Sequence, residues 1–523
     1  MTSENQTMTM IMSLDARGAT EPRAVAPQTD IVGVDDAVVR AEAASRVLAA
    51  SSRADRARLL RALASALEAR GAEIIAAADR ETALGVPRLT GELARTSFQL
   101  RHFAEVVEDG HYLAATIDHA DPDASPAPRP DLRRMLVPIG PVAVFSASNF
   151  PLAFSVAGGD TASAIAAGNA VVVKAHSGHP LTSMLTARAL RAGAAEAGFP
   201  DDVVTVVFGT RAGVDLITHP LVAAGAFTGS TAGGRALFDL AAARPVPIPF
   251  YGELGSINAL VVTDAALAER SAEIAAGLAA SFTLGAGQFC TKPGLVLVPA
   301  GAAGDALAES VREAASQVEP APMLNSRVRD GWSASIATLT ASPHATTLLH
   351  GDEPGALAAG VVLVSMEARD VIAAGADALA FEECFGPSTL LVRYTTTAEL
   401  DEVVRLVPGS LTGTVHGGSE EEHGASVAAH AYRALAERCG RVLWNQFPTG
   451  VSVTWAMQHG GPYPATTAAG STSVGASAIL RFLRPVAFQN APDLLLPAEL
   501  RDDNPTGVPR RVDGRLDPTP EEL

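Results

Sequence analysis

The residues best suited to chemistry lie in Leu284-Gly-Ala-Gly-Gln-Phe-Cys290-Thr-Lys-Pro-Gly-Leu295, where a cysteine follows two glycines. A helix is predicted over 271–282 and a strand over 295–298, so the cysteine sits in the turn between them. Glycines there let backbone amides approach a bound group, and an amide beside the sulfur would stabilise a developing oxyanion. Amide dipoles and a dry, tight site would favour a thiolate nucleophile. A buried structural thiol is the competing reading of Cys290. Two further segments fit acyl chemistry. Ser148-Asn-Phe-Pro-Leu152 is a post-strand turn that could aim the Asn149 amide at an oxyanion. Tyr251-Gly-Glu-Leu-Gly255 brackets a carboxylate with glycines. Desolvation would raise the pKa of Glu253 toward that of a general base, although taken alone it also reads as a loop acid.

A second group of residues suits a nucleotide. Phe227-Thr-Gly-Ser-Thr-Ala-Gly-Gly234 follows an apolar strand and opens a predicted helix over 235–243. Its Gly229, Ser230 and Gly234 would present helix N-terminal amides to a phosphate. The segment lacks the Lys-Ser/Thr pair of a P-loop and the G-x-G-x-x-G spacing of the dinucleotide fingerprint. Lys174 ends a predicted strand over 170–173, where the carboxyl edge of a sheet meets ligands. Ser177 follows where an acid would otherwise hold a ribose 2′-hydroxyl and repel a 2′-phosphate. With Lys174, His176 and Arg211 nearby, the charge balance points to NADP, with NAD the less favoured cofactor.

These segments need a scaffold, and the chain is long enough for one. Its 523 residues predict two or three domains. A net charge of −18 argues against nucleic acid and anionic membranes as partners. The three cysteines, Cys290, Cys384 and Cys439, have no zinc-like spacing and do not build a disulfide framework, so no metal is expected and a reducing cytoplasm is the simplest compartment. No secretion signal or membrane-spanning run is evident. The first 29 residues read as a flexible tail. From Val34 to Ala83 the pattern is helical, with Leu59, Leu60, Leu63 and Leu67 at three- and four-residue steps. Residues 117–130, rich in Pro, Asp and Ala, read as an extended arm. Apolar strands at 142–145, 170–173, 203–207, 223–227 and 259–262 then alternate with helices, which predicts an α/β fold with a doubly wound parallel sheet. A second α/β series is predicted on strands at 295–298, 361–364, 389–392 and 411–416.

In order, Asn149, Lys174, the Gly229–Gly234 loop, Glu253, Cys290 and the Glu383-x-Phe385-Gly-Pro element resemble the aldehyde dehydrogenase superfamily over about residues 30–490. Finer matches resemble its bacterial NADP-linked 2,5-dioxopentanoate (α-ketoglutarate semialdehyde) dehydrogenase and fatty aldehyde dehydrogenase branch. They include Glu81-Thr-Ala-Leu84, Arg88-Leu-Thr-Gly-Glu92, His459-Gly-Gly-Pro-Tyr-Pro464 and Ser471-Thr-Ser-Val-Gly475. Ser256 departs from the second glycine usual in the superfamily. The resemblance implies the aldehyde dehydrogenase fold: a Rossmann-like cofactor domain (30–116 and 139–256), an α/β catalytic domain (257–466), and an oligomerisation arm with a C-terminal tail (117–138 and 467–523). It further implies Cys290 as nucleophile, Asn149 as oxyanion donor and Glu253 as the base that hydrolyses a thioester. Lys174 and Ser177 would hold the adenosine ribose, Glu383 the nicotinamide ribose, and Phe385 would pack near the ring. The implied substrate is 2,5-dioxopentanoate, with a long-chain fatty aldehyde as the alternative and a non-catalytic binding protein as the remote one. The implied assembly is a homodimer or homotetramer. Ala153 and Ala157, four apart on a predicted helix, would line a roomy entry tunnel.

Overall fold

A computed structural model of the chain describes residues 9–517. Four helices lead into the larger sheets: Ile31–Ala50, Arg53–Ala69, Gly71–Thr82 and Val86–Asp109. Asp30 and Ser52 cap the first two, their side chains accepting the amides of Gly33 and Asp55. The leucine stripe of the second helix is buried, as its spacing predicts.

Residues 9–29 differ from the expected loose tail. Met10–Ser13 and Arg23–Pro27 form an antiparallel pair. Polar anchors hold it: Arg17 bridges Asp79 at 2.9 Å, and Arg80 Nη1 donates to Ser13 Oγ at 2.8 Å. Such contacts leave no hydrophobic period in the sequence, which is why the segment reads as a tail. The rest of that expectation, residues 1–8, lies outside the described residues.

Two parallel sheets carry the chemistry-bearing segments. The first has five strands in the order 204–207, 171–174, 142–145, 224–228, 250–253. The last of these, Phe250–Glu253, is a strand that the glycines of Tyr251-Gly-Glu-Leu-Gly255 hide in the sequence. Strand order reverses at 142–145, so the ligand crevice of a doubly wound sheet opens at the carboxyl ends of 142–145 and 224–228. The second sheet has seven strands and includes Ala259–Val262, Leu295–Pro299 and Ser410–His416 at its centre. Its strands are continuous apolar runs because helices cover both faces, and only the edge strand Thr346–His350 runs antiparallel. A third sheet pairs Leu132–Pro138 and Thr116–Asp118 with Leu483–Gln489 and Arg510–Val512, so the arm and the strands at 483–489 and 510–512 are one structure. No helix among the described residues is long and apolar enough to cross a membrane.

Candidate active site

The helix Asp264–Thr283 ends in a turn that only small residues can make. Gly285, Ala286 and Gly287 have φ of 58°, 55° and 65°. A Cβ on Gly287 would lie 2.1 Å from the Gly386 carbonyl oxygen, so the cysteine loop and the Glu382–Pro387 segment touch backbone to backbone. Beyond the turn, Asn258 Nδ2 donates to the carbonyls of Cys290 (2.7 Å) and Lys292 (2.9 Å) and fixes the chain that carries the sulfur.

Three distant segments converge on that sulfur. Cys290 Sγ lies 3.6 Å from His459 Nε2, and the same nitrogen lies 3.0 Å from Glu253 Oε1. Ser473 Oγ donates to Glu253 Oε2. An ionised carboxylate only accepts, so Nε2 of His459 donates to it, while its buried Nδ1 has no partner among the described residues. The side chains of His459 and Glu253 are 0% and 2% exposed. The thiol, carboxylate and imidazole donor atoms lie within 4.8 Å of one another. They are metal-ligating types, yet their mutual hydrogen bonds account for the cluster without an ion.

The electrostatics reverse two expectations. Burial and the adjacent Glu253 carboxylate push the Cys290 thiol well above its ordinary range, so the resting sulfur is a protonated thiol and not a preformed thiolate. Glu253 moves the other way. Burial pushes its pKa up, but the charge and hydrogen bond of His459, then Ser473 and Cys290, hold it below the usual carboxylate value. The pair is therefore carboxylate plus thiol, with sulfur and carboxylate oxygen within 4.8 Å of each other.

Asn149 completes the arrangement from the turn after Val142–Phe145. Its Nδ2 donates to the Gln288 carbonyl at 2.9 Å, which spends one amide hydrogen and leaves the second unspent two residues from Cys290 along the chain that accepts it. Glu92 staples this turn: buried, it accepts the amides of Leu152 (2.8 Å) and Ala153 (3.0 Å) on Oε1. Ala153 and Ala157 lie in that stapled series of turns, not on a helix, and are 1% and 0% exposed. Gly158 lets the turn close, since a Cβ there would sit 2.8 Å from Ala153 O.

The cofactor-type residues fall along the carboxyl edge of the five-stranded sheet. Lys174 ends its strand with no hydrogen-bond or ion-pair partner among the described residues, and burial, then Arg327, pushes its amine down. Ser177 is exposed in the following loop, and Gly229 and Ser230 are exposed before the helix Thr231–Ala242. Gly234 is different: its amide already bonds Ser230 O, and a Cβ on it would lie 2.1 Å from Leu254, so it serves helix–strand packing. Arg211 is 72% exposed and paired with Asp215 at 2.8 Å. Glu383 lies against Gly255, within 2.6 Å of where a Cβ would be, and burial raises its pKa to about 7 against the Ser256 amide and Lys292. Phe385 is half-buried two residues on. An unpaired cation, a helix N-terminus and a strand-order reversal at one edge fit a dinucleotide phosphate chain.

His459 and Ser473 are functional-site candidates that residue chemistry alone missed. Both stand within recognisable motifs, His459-Gly-Gly-Pro-Tyr-Pro464 and Ser471-Thr-Ser-Val-Gly475, but nothing in those motifs says which acid they meet.

Residues 10–467 match the profile of the aldehyde dehydrogenase family. The chain is 45% identical over 467 residues to alpha-ketoglutaric semialdehyde dehydrogenase 2 of Azospirillum brasilense, covering 89% of this chain and 88% of that one. It is 40% identical over 489 residues to alpha-ketoglutaric semialdehyde dehydrogenase of Acinetobacter baylyi, covering 94% and 92%. Its fold matches the NADP-dependent glyceraldehyde-3-phosphate dehydrogenase of Bacillus halodurans C-125, complexed with NADP, at a TM-score of 0.77 and 21% identity, covering 93% of this chain and 97% of that one. The chain belongs to the aldehyde dehydrogenase family and is an NAD(P)-linked aldehyde dehydrogenase.

Proposed function

We propose that this aldehyde dehydrogenase oxidises 2,5-dioxopentanoate to 2-oxoglutarate with NADP, using Cys290 as nucleophile and Glu253 as base. The observation that carries the mechanism is the contact of the Cys290 thiol with the Glu253–His459 pair. Identities of 45% and 40% to two alpha-ketoglutaric semialdehyde dehydrogenases support the substrate.

The Glu253 carboxylate takes the thiol proton as sulfur attacks the aldehyde carbon, because a buried thiol beside a carboxylate does not ionise in advance. The free hydrogen of the Asn149 amide and the Cys290 backbone amide meet the oxyanion. NADP, when bound at the carboxyl edge of the five-stranded sheet, would supply the hydride acceptor for the substrate carbon, and the oxidised acyl group stays on Cys290 as a thioester. Glu253 gives the proton it took from sulfur up to solvent and, again a carboxylate steered by His459 and Ser473, activates water against that thioester. Lys174, Ser177, Gly229 and Ser230 would hold the adenosine and phosphate end, and Glu383 and Phe385 the nicotinamide end. Lys174, three residues before Ser177 and within electrostatic reach of Arg327, supports a 2′-phosphate there, and Arg211 stands on the helix Thr210–Thr218. The protein acts in the cytoplasm as a homo-oligomer joined through the third sheet, whose end of the chain exposes Leu494, Leu495 and Leu516. We keep the domain divisions 30–116 with 139–256, 257–466, and 117–138 with 467–523 as part of this reading, supported by the three larger sheets each falling within one division, Thr116 apart, among the described residues. A comparison of kcat/KM for 2,5-dioxopentanoate and dodecanal tests the substrate: the semialdehyde is expected to win by more than about 100-fold, and a higher value for dodecanal would reassign the enzyme.

A further inference from the structure

The helix Val86–Asp109 turns one polar stripe toward the active-site segments. Arg88, Glu92, Arg95, Gln99 and His102 recur at i, i+4, i+7, i+11 and i+14, which is one face of a helix. Glu92, Gln99 and His102 are 2–5% exposed. Four of the five residues keep a buried polar atom without a partner: Arg88 Nη1, Glu92 Oε2, Gln99 Nε2 and His102 Nε2. Buried polar atoms are normally paired, and leaving one unpaired costs about 1–3 kcal/mol. A face that leaves several unpaired beside a reaction centre is built for something that is brought in.

The two arginines lie against the aromatic residues that flank Asn149 and Cys290. Arg88 lies 5.2 Å from the Phe150 ring centre and 5.0 Å from that of Phe289, and its Nη2 donates to Asn149 O at 2.7 Å. Arg95 lies 5.1 Å over Phe154, whose ring is 6.4 Å from that of His459. It donates once, from Nη2 to Val451 O at 3.2 Å. Neither arginine has a carboxylate within ion-pair distance among the described residues; Glu92, between them on the stripe, spends Oε1 on the Leu152 and Ala153 amides. Burial pushes the Arg95 guanidinium down, while Glu92, Cys290 and Glu253 act to raise it, which puts Arg95 within electrostatic reach of the sulfur. A guanidinium on an aromatic face with spare planar donors matches a carboxylate.

We infer that Arg95, backed by Arg88, binds the carboxylate of a short ω-oxo acid and so sets the enzyme's preference for charged over uncharged aldehydes. The inference rests on the proposed substrate class. In 2,5-dioxopentanoate the aldehyde and carboxyl carbons are four bonds apart, about 5 Å when extended at ~1.5 Å per bond. With the aldehyde carbon on Cys290, the acid end would lie about 5–7 Å from the sulfur, and the inference directs it toward Phe154, on which Arg95 lies. A long alkyl chain would instead press methylenes onto two unneutralised guanidinium groups.

The test is the ratio of kcat/KM for 2,5-dioxopentanoate to that for pentanal, an uncharged aldehyde of the same length. Wild type is expected to favour the acid by more than about 100-fold, and Arg95→Met to lower that ratio about 100-fold, chiefly through KM for the acid. Arg95→Lys, which keeps the charge and loses the fork, should lower it about 10-fold. If wild type favours the acid and Arg95→Met keeps the ratio within about 3-fold, the arginine assignment is wrong and the substrate reading stands. If wild type shows no preference over pentanal, the substrate reading fails and takes the assignment with it. Should Arg95→Met not fold, two results together overturn the assignment: an unchanged ratio in Arg95→Lys, and inhibition of wild-type pentanal oxidation by 2-oxoglutarate no tighter than by pentanoate.

Discussion

Lys174 and Glu253 both stand at the ends of parallel strands of one sheet, with two strands between them, and their charges are handled in opposite ways. Lys174 is an unpaired amine at an edge with exposed Ser177, Gly229 and Ser230 around it. Glu253 is sealed from solvent and engaged by His459 and Ser473, with the Cys290 thiol beside it. The difference separates two tasks. The edge leaves a positive charge for a diffusible anion to neutralise, so its affinity depends on the ligand's charge. The sealed cluster settles where its protons sit before any ligand arrives, so its chemistry depends on the pKa order of its own members.

The largest effect should come from removing the charge at the sealed end. Glu253→Gln is expected to lower steady-state turnover about 1,000-fold and to slow the NADPH burst as well, because the same carboxylate takes the thiol proton; a burst of one NADPH per active site should return in stopped flow only at a pH high enough to ionise Cys290. Loss of the carboxylate also removes a negative neighbour of Cys290, so the thiol should react with iodoacetamide at lower pH than in wild type. A burst followed by normal turnover would mean that water is activated elsewhere. At the open end a new charge should matter less, and only for one cofactor. Ser177→Glu is expected to lower kcat/KM for NADP about 100-fold through repulsion of the 2′-phosphate, with a smaller change for NAD. Equal losses for both cofactors would place the 2′-phosphate away from Ser177.

Legibility in the sequence follows the same division. The strands at 142–145, 259–262 and 295–299, the leucine stripe of the second helix and the cysteine turn are readable because each is local: a period, a breaker or a run of glycines. Lys174 is readable because a charge directly after an apolar strand has few other reasons to be there. Phe250–Glu253 is not, since its glycine weakens the strand pattern and its pairing partner lies more than 20 residues away. His459 and Ser473 reach Glu253 across more than 200 residues from a loop with no periodicity. The pKa order is hidden for the same reason. Burial alone raises both Cys290 and Glu253; His459, then Ser473 and Cys290, brings the carboxylate down, and the charge of that carboxylate keeps the thiol high.

That dependence gives the smallest and most discriminating prediction. In the native cluster burial works to raise Glu253, and the charge and hydrogen bond of His459 oppose it most strongly. Replacing His459 with Leu leaves Ser473 and Cys290 to oppose burial, so the Glu253 pKa must rise. The active carboxylate form is lost as pH falls through that pKa. The acid limb of the deacylation rate should therefore move to higher pH, with a loss of about 10-fold near neutrality for each unit by which the new pKa exceeds the assay pH. His459→Gln, which can still donate to the carboxylate, should return the limb part of the way. A uniform loss at every pH, with the limb unmoved, would make His459 a packing residue and leave the low pKa of Glu253 to its other partners. Lys174→Met offers the control from the open end: it should weaken NADP binding without moving that limb, because no proton in the sealed cluster depends on it.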